Sequence, residues 1–265
     1  MKPKGRTFQR MAPVALFIVL LAAIPGRAAG ELTIAAAADL QFAMRALIQG
    51  FERQSGVQVR LVAGSSGNLA TEIEHGAPFD LFFSADVQHP EQLVRDGAAE
   101  PGTLVRYALG RLVVYVPADS PLDFDRRGLA ALENTAVRKI AIANPRFAPY
   151  GAAAAAALRH AGLYGKLQSR LVLGEDVSQA TQFVVSGNAQ AALTSLALML
   201  APGAKPPGRY WLVPPEDYPP LDQAAVIVKR SGQKQLARAF LAYLETAEAR
   251  SIFRRYGFAP PEKTP

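Results

Sequence analysis

An α/β fold in two lobes is predicted for this chain of 265 residues. Three observations predict it. Short, wholly apolar runs alternate with amphipathic helical stretches, the rhythm of parallel strands covered by helices. That rhythm comes in two sets, and the segment between them, residues 104–116, is long for one strand and carries Gly110 at its middle, which suits a crossing between lobes. A late apolar run, residues 224–228, reads as a strand returning to the first set. Each lobe is therefore expected to be a mainly parallel sheet flanked by helices, with a cleft between them. Residues 31–111 and 224–265 would form lobe 1, and residues 112–223 lobe 2.

Residues 1–30 stand apart. Lys2, Lys4, Arg6 and Arg10 form a positive head, residues 14–24 are apolar without interruption, and Pro25, Gly26, Ala28, Ala29 and Gly30 supply small residues around Arg27. This is the layout of a cleavable secretory signal peptide, and the apolar stretch is short for a membrane span. A periplasmic protein starting near Glu31 is the expectation. The absence of cysteine excludes a disulfide framework, a thiolate site and a lipid anchor at the cut. The leader holds five basic residues and no acid, so the net charge of +7 falls to +2 beyond it. No basic cluster interleaved with aromatics remains, so no nucleic-acid partner is expected.

The elements follow in order. Residues 32–38 read as a buried strand, and Leu40, Ala43, Met44, Leu47 and Phe51 share one face of the helix after it. Asp39 between them is placed to cap that helix. After Gly56, residues 57–63 form the second strand, which completes a βαβ unit. Residues 81–86 are a third short strand and residues 91–96 a helix fragment. In the second set, residues 139–143 are a strand, 152–160 an alanine-built helix, 171–173 a strand and 179–186 a helix. Residues 191–194 are a strand leading into a helix, and 210–213 another strand. Helices over 233–246 and 247–256 close the chain, the last ended by Gly257.

In open α/β sheets ligands bind beyond the carboxyl ends of the strands, at helix N-termini. Four loops answer that description: residues 36–39, 64–67, 148–151 and 175–178, two in each lobe. The second, Gly64-Ser65-Ser66-Gly67, is the most informative. The first amides of the helix it opens lack internal acceptors, the serine hydroxyls add donors, and the glycines admit close approach, so the loop can seat an anion. The same residues also describe an ordinary loop with good N-caps.

Several strings resemble the periplasmic molybdate-binding proteins of ABC transporters. They are Leu32-Thr33-Ile34-Ala35-Ala36-Ala37-Ala38-Asp39-Leu40, Gly64-Ser65-Ser66-Gly67-Asn68-Leu69, Gly76-Ala77-Pro78-Phe79-Asp80-Leu81-Phe82-Phe83-Ser84-Ala85-Asp86, and Asn144-Pro145-Arg146-Phe147-Ala148-Pro149-Tyr150-Gly151. The Glu175-Asp176-Val177 turn and the Tyr256-Gly257-Phe258 ending complete the set. The resemblance runs in order over residues 31–258. It implies a type II periplasmic binding protein fold whose two lobes close on molybdate or tungstate. It also implies no cofactor, no counter-cation, a single-chain protein, and delivery to a membrane permease with its ATPase.

Carried over by position, Ser66 matches a hydroxyl donor, Tyr150 and Val177 match amide donors, and Ala38, Asp39 and Ser65 lie in the same ligand loops. Ser195 falls where one subgroup has a ligand-binding tyrosine. Asp39 departs from the serine or asparagine usual in the family. Either its carboxylate caps the following helix and only its amide meets the ligand, or the carboxylate accepts a proton from a protonated oxyanion such as hydrogenphosphate.

The remaining candidates point elsewhere. His75, His89 and His160 lack ligand spacing and read as surface residues. Asp80 and Asp86 read as structural caps. Ser65 and Ser66 lack the setting of a hydrolase nucleophile. Tyr243 and Tyr256 could suggest a ferric-ion tyrosine pair, but lie in helical text and read as core. No phosphate-binding loop of an ATPase is present. A phosphate or sulfate carrier and a two-lobed α/β enzyme are the alternatives; no enzyme activity is expected.

Overall fold

The structure, a computed structural model, describes residues 30–203 and 206–261. Except for Gly30, the expected leader lies outside the described residues. Among the described residues no helix is long and apolar enough to cross a membrane.

The chain runs β1 (Glu31–Ala37), α1 (Gln41–Ser55), β2 (Gln58–Gly64), α2 (Ser66–Glu74), β3 (Leu81–Ser84), α3 (Gln88–Arg95), β4 (Val105–Gly110) and β5 (Leu112–Val116). It continues through α4 (Phe124–Arg127), β6 (Ile140–Ala143), α5 (Pro149–His160), α6 (Tyr164–Leu167), β7 (Leu171–Gly174), α7 (Val177–Val185), β8 (Ala191–Ser195) and α8 (Leu196–Met199). It ends with β9 (Arg209–Leu212), β10 (Leu221–Ile227), α9 (Lys234–Tyr243) and α10 (Ala247–Arg255).

Two five-stranded sheets form, in the orders β2-β1-β3-β10-β4 and β7-β6-β8-β5-β9. In the first, β1 is parallel to β2 and β3, and β10 is antiparallel to both its neighbours. In the second, β6 is parallel to β7 and β8, and β5 is antiparallel to both its neighbours. Each sheet is thus parallel but for one reversed strand, as expected from the βα rhythm. The long apolar segment divides at Arg111, giving β4 to one sheet and β5 to the other.

Alternation along β1 explains why helices cover both faces of the first sheet. Leu32, Ile34 and Ala36 share a core with residues of α1, α9 and α10, among them Phe51, Phe240 and Phe253. Ala35 and Phe82 face the other way, onto Leu69 and Ile73 of α2 and Leu93 of α3. In the second sheet α5 and α7 pack on β6 and β8, with Ala154, Ala157 and Ala180 fully buried. The alanine run of α5 therefore serves close helix–sheet approach as well as helix propensity.

Three boundaries differ from the sequence reading in ways that matter for function. A 3-10 turn, Ala38–Leu40, precedes α1, so Asp39 lies inside the turn, the N-cap position falls to Leu40, and no side chain caps the helix. The expected cap by Asp39 is corrected. α5 begins at Pro149 rather than residue 152, because proline's fixed φ suits the first helical position, and this brings Tyr150 into the first turn. β10 begins at Leu221, which adds the polar residue Gln223 to the strand.

Candidate functional site

The carboxyl ends of β1, β2, β3, β6 and β7 deliver their loops to one small, half-open space of about 10 Å³. Ala38 and Asp39 arrive from β1, Ser65 and Ser66 from β2, and Ala85 from β3. Tyr150 arrives after β6 and Val177 after β7. The space has room for about one water. Six of the seven residues singled out in the sequence line it. Ser195 does not; it stands behind Tyr150.

The donors of this space are organised by three helix starts. Ser65 caps α2, its hydroxyl accepting from Asn68 N at 3.4 Å. Ser66 is fully buried, and its Oγ accepts the Ala85 amide at 3.0 Å. That bond uses a lone pair and leaves the Ser66 proton to donate. Tyr150 and Val177 occupy first-turn positions of α5 and α7, where the backbone N–H has no acceptor within its own helix. Asp176 caps α7, its Oδ1 accepting from Gln179 N at 2.8 Å. The lining contains no lysine, arginine or histidine; its only ionisable acids are Asp39 and Asp176.

Asp39 is 1% exposed. Its Oδ2 accepts from Gln223 Nε2 at 2.7 Å, and Oδ1 has no hydrogen-bond partner among the described residues. Burial raises the Asp39 carboxyl to about 7, while the Gln223 amide, the Tyr150 hydroxyl and the amides of Asp39 and Leu40 pull it down. The network continues on both sides. Tyr107 Oη lies 2.9 Å from both Gln223 Oε1 and Ser84 O, which share its one proton. Ser195 Oγ donates to Tyr150 Oη at 3.1 Å and accepts from Ala197 N at 3.1 Å. Burial, with the Asp39 charge adding to it, holds both tyrosine hydroxyls well above their ordinary range, so they stay protonated.

Gly110 packs closely against this network. A Cβ there would run into Tyr150 Oη and come within 2.8 Å of Gln223 Nε2. Sequence reasoning missed Gln223, Ala85 and Tyr107. A lone glutamine beside four apolar residues, Ala224–Ile227, was the available signal for the first.

Two bonds join the two sides of the space: Gly67 N donates to Phe147 O at 2.8 Å, and Gln41 Nε2 to Ser178 Oγ at 2.7 Å. A Cβ on Gly67 would sit 2.7 Å from Phe147 O, so this contact requires glycine.

The other candidates are structural. Asp80 accepts from Thr33 N and Ser231 Oγ at 2.8 and 2.7 Å, and so pins β1 to the segment after β10. Asp86 accepts from Ser84 Oγ and His89 N. His89 is half-buried rather than a free surface residue, with Nδ1 at 2.8 Å from Asp86. Tyr243 and Tyr256 belong to the core of the first sheet.

Three helix starts and a buried serine around a small space lined by no basic side chain, on two sheets flanked by helices, are the arrangement of a two-lobed α/β binding protein. A family model described as bacterial extracellular solute-binding protein matches residues 32–259, and the chain belongs to that family. It is 36% identical to the molybdate-binding protein ModA of Rhodobacter capsulatus over 249 residues, 94% of this chain and 96% of that protein. It is 36% identical to ModA of Azotobacter vinelandii over 230 residues, 87% of this chain and 90% of that protein. The solved periplasmic molybdate-binding protein of A. vinelandii superposes with a TM-score of 0.82 at 36% identity, covering 87% of this chain and all of that one. The relatives are solute-binding proteins rather than enzymes.

Proposed function

We propose that this protein captures molybdate, and tungstate with it, in the periplasm and hands it to the membrane permease of an ABC transporter. Export by the N-terminal signal peptide, action as a single chain and a partner ATPase on the permease belong to the same reading. So does the division into lobe 1 (residues 31–111 and 224–265) and lobe 2 (residues 112–223). One observation carries it: Ser66 and the first-turn amides of α2, α5 and α7 converge on one space without a cation.

The ligand would be held by the Ser66 hydroxyl and by amides at Ala38–Asp39, Tyr150 and Val177, with Ser65 shaping its loop. Ser195 acts through Tyr150. Hydrogen bonds to a charged oxygen contribute about 1.5–3 kcal/mol each, so five suffice for submicromolar affinity, which needs about 8 kcal/mol. Amides fixed by helix starts cannot contract onto a smaller tetrahedron, which disfavours sulfate. Calorimetric titration with molybdate, tungstate, sulfate and phosphate tests the reading. Submicromolar binding of the first two, with sulfate and phosphate much weaker, is expected; phosphate binding tighter than molybdate would overturn it.

A further inference from the structure

The cavity sets a charge problem that its donors do not solve. Asp39 lines it, is almost fully buried, leaves Oδ1 without a partner, and has no basic side chain beside it in the lining. Gln223 binds only Oδ2. An ionised Asp39 would set a carboxylate oxygen that has no hydrogen-bond partner against a dianion in a space with room for about one water.

We propose that Asp39 meets the oxyanion as a neutral carboxylic acid, its proton on Oδ1 donated to a ligand oxygen, so that binding a dianion above neutrality takes up one proton per site. The proton comes from solvent or buffer and returns on release. No other bond forms or breaks. The proposal rests on the oxyanion reading and adds a donor to it. An oxygen that would repel the ligand becomes one that holds it, and Gln223 fixes which oxygen keeps the lone pair.

The surroundings agree. Tyr107 of β4 and Tyr150 of α5 face Asp39, and burial keeps both neutral. From α7 the facing acid is Asp176, engaged by Gln179 N. Asp86, at the end of β3, acts on Tyr107 and is held by His89. The first turn of α1, the Gly64 end of β2 and α8 (Leu196–Met199) bring no charge. Burial already brings the carboxyl to about 7, so little is needed to protonate it. An adjacent dianion raises it further.

The sign follows from linkage. Below about pH 7 Asp39 already carries the proton, so affinity is flat. Above it, molybdate affinity falls by about tenfold per pH unit, until the bound acid itself ionises.

Calorimetry of molybdate binding at pH 8, in Tris and in HEPES, reads the proton directly through the difference in buffer ionisation heat. Nearly one proton taken up is expected for the wild type and for His89→Gln. None is expected for Asp39→Asn, whose amide imitates the neutral acid and whose affinity should not change between pH 6 and pH 8. Equal wild-type heats in the two buffers, uptake that persists in Asp39→Asn, or uptake lost in His89→Gln would each overturn the proposal. The wild-type comparison needs no variant. Hydrogenphosphate binding tighter than molybdate, without uptake, would overturn it as well, because the proton then arrives with the ligand. Absence of molybdate binding at both pH values overturns the oxyanion reading and the proton together.

Discussion

Ser66 meets the cavity with one lone pair already committed to the Ala85 amide, so the direction of its remaining bond is set before any ligand arrives. Ser66→Ala removes a prepaid donor and strands a buried N–H. Molybdate affinity should fall by at least about tenfold by titration calorimetry, the value of one lost bond to a charged oxygen. An unchanged affinity would remove Ser66 from the site. Asp39 makes a separate prediction about stability without ligand. Its carboxyl stands near 7 in the folded chain against an ordinary 3.8. Between those values the folded state holds a proton that the unfolded chain has released, so stability falls as pH rises through that window and levels off above it. Asp39→Asn escapes this loss. Its melting temperature relative to wild type should therefore be higher at pH 8 than at pH 4.5, and a constant difference would contradict the buried acid. The place of Ser66 in the cavity wall was legible from its loop, which opens a helix after a strand, although the same residues also suit an ordinary N-capped turn. The posture of Asp39 was not. Helix-cap chemistry is local, whereas this side chain is recruited by Gln223, 184 positions away.

At the scale of the element, helix starts carry the chemistry. The Gly67 amide, second in α2, lies beyond reach of any intrahelical acceptor and is taken by Phe147 O in the loop before α5. Gly67→Ala should leave the fold intact, since alanine favours the helix. Its Cβ would press on the backbone of Phe147 and hold the two sides apart. Molybdate affinity should drop by about tenfold or more with an unchanged melting temperature, the loss of one bond between the two sides. Equal affinity would show that this contact is dispensable. Strands and helices were legible from apolar runs and periodicity, because burial on both sheet faces imposes them. Three of the boundaries that differ adjoin the site; the start of α3 at Gln88 and the end of α9 at Tyr243 differ as well, and the short helices α4 and α6 were not read from the sequence. The 3-10 turn at Ala38–Leu40 and the early start of β10 answer to tertiary partners rather than to local preference, whereas α5 starts early because Pro149 suits the first helical position.

At the scale of the molecule, the two reversed strands β5 and β10 are next to the crossings between the sheets. The sequence revealed this through an overlong apolar segment and a strand out of order. It could not reveal how the two sides of the space are joined, which depends on contacts between residues far apart, Gly67 with Phe147 and Gln41 with Ser178. Ligand-driven closure should appear as a smaller radius of gyration by solution X-ray scattering with molybdate than without it. An identical radius in both states would argue for a rigid receptor. The Gly67–Phe147 bond has one more use. Because it exists only where the two sides touch, the Gly67 amide is an internal clock. Its exchange with deuterium counts the time the protein spends open, with or without ligand, and needs no label added to the chain.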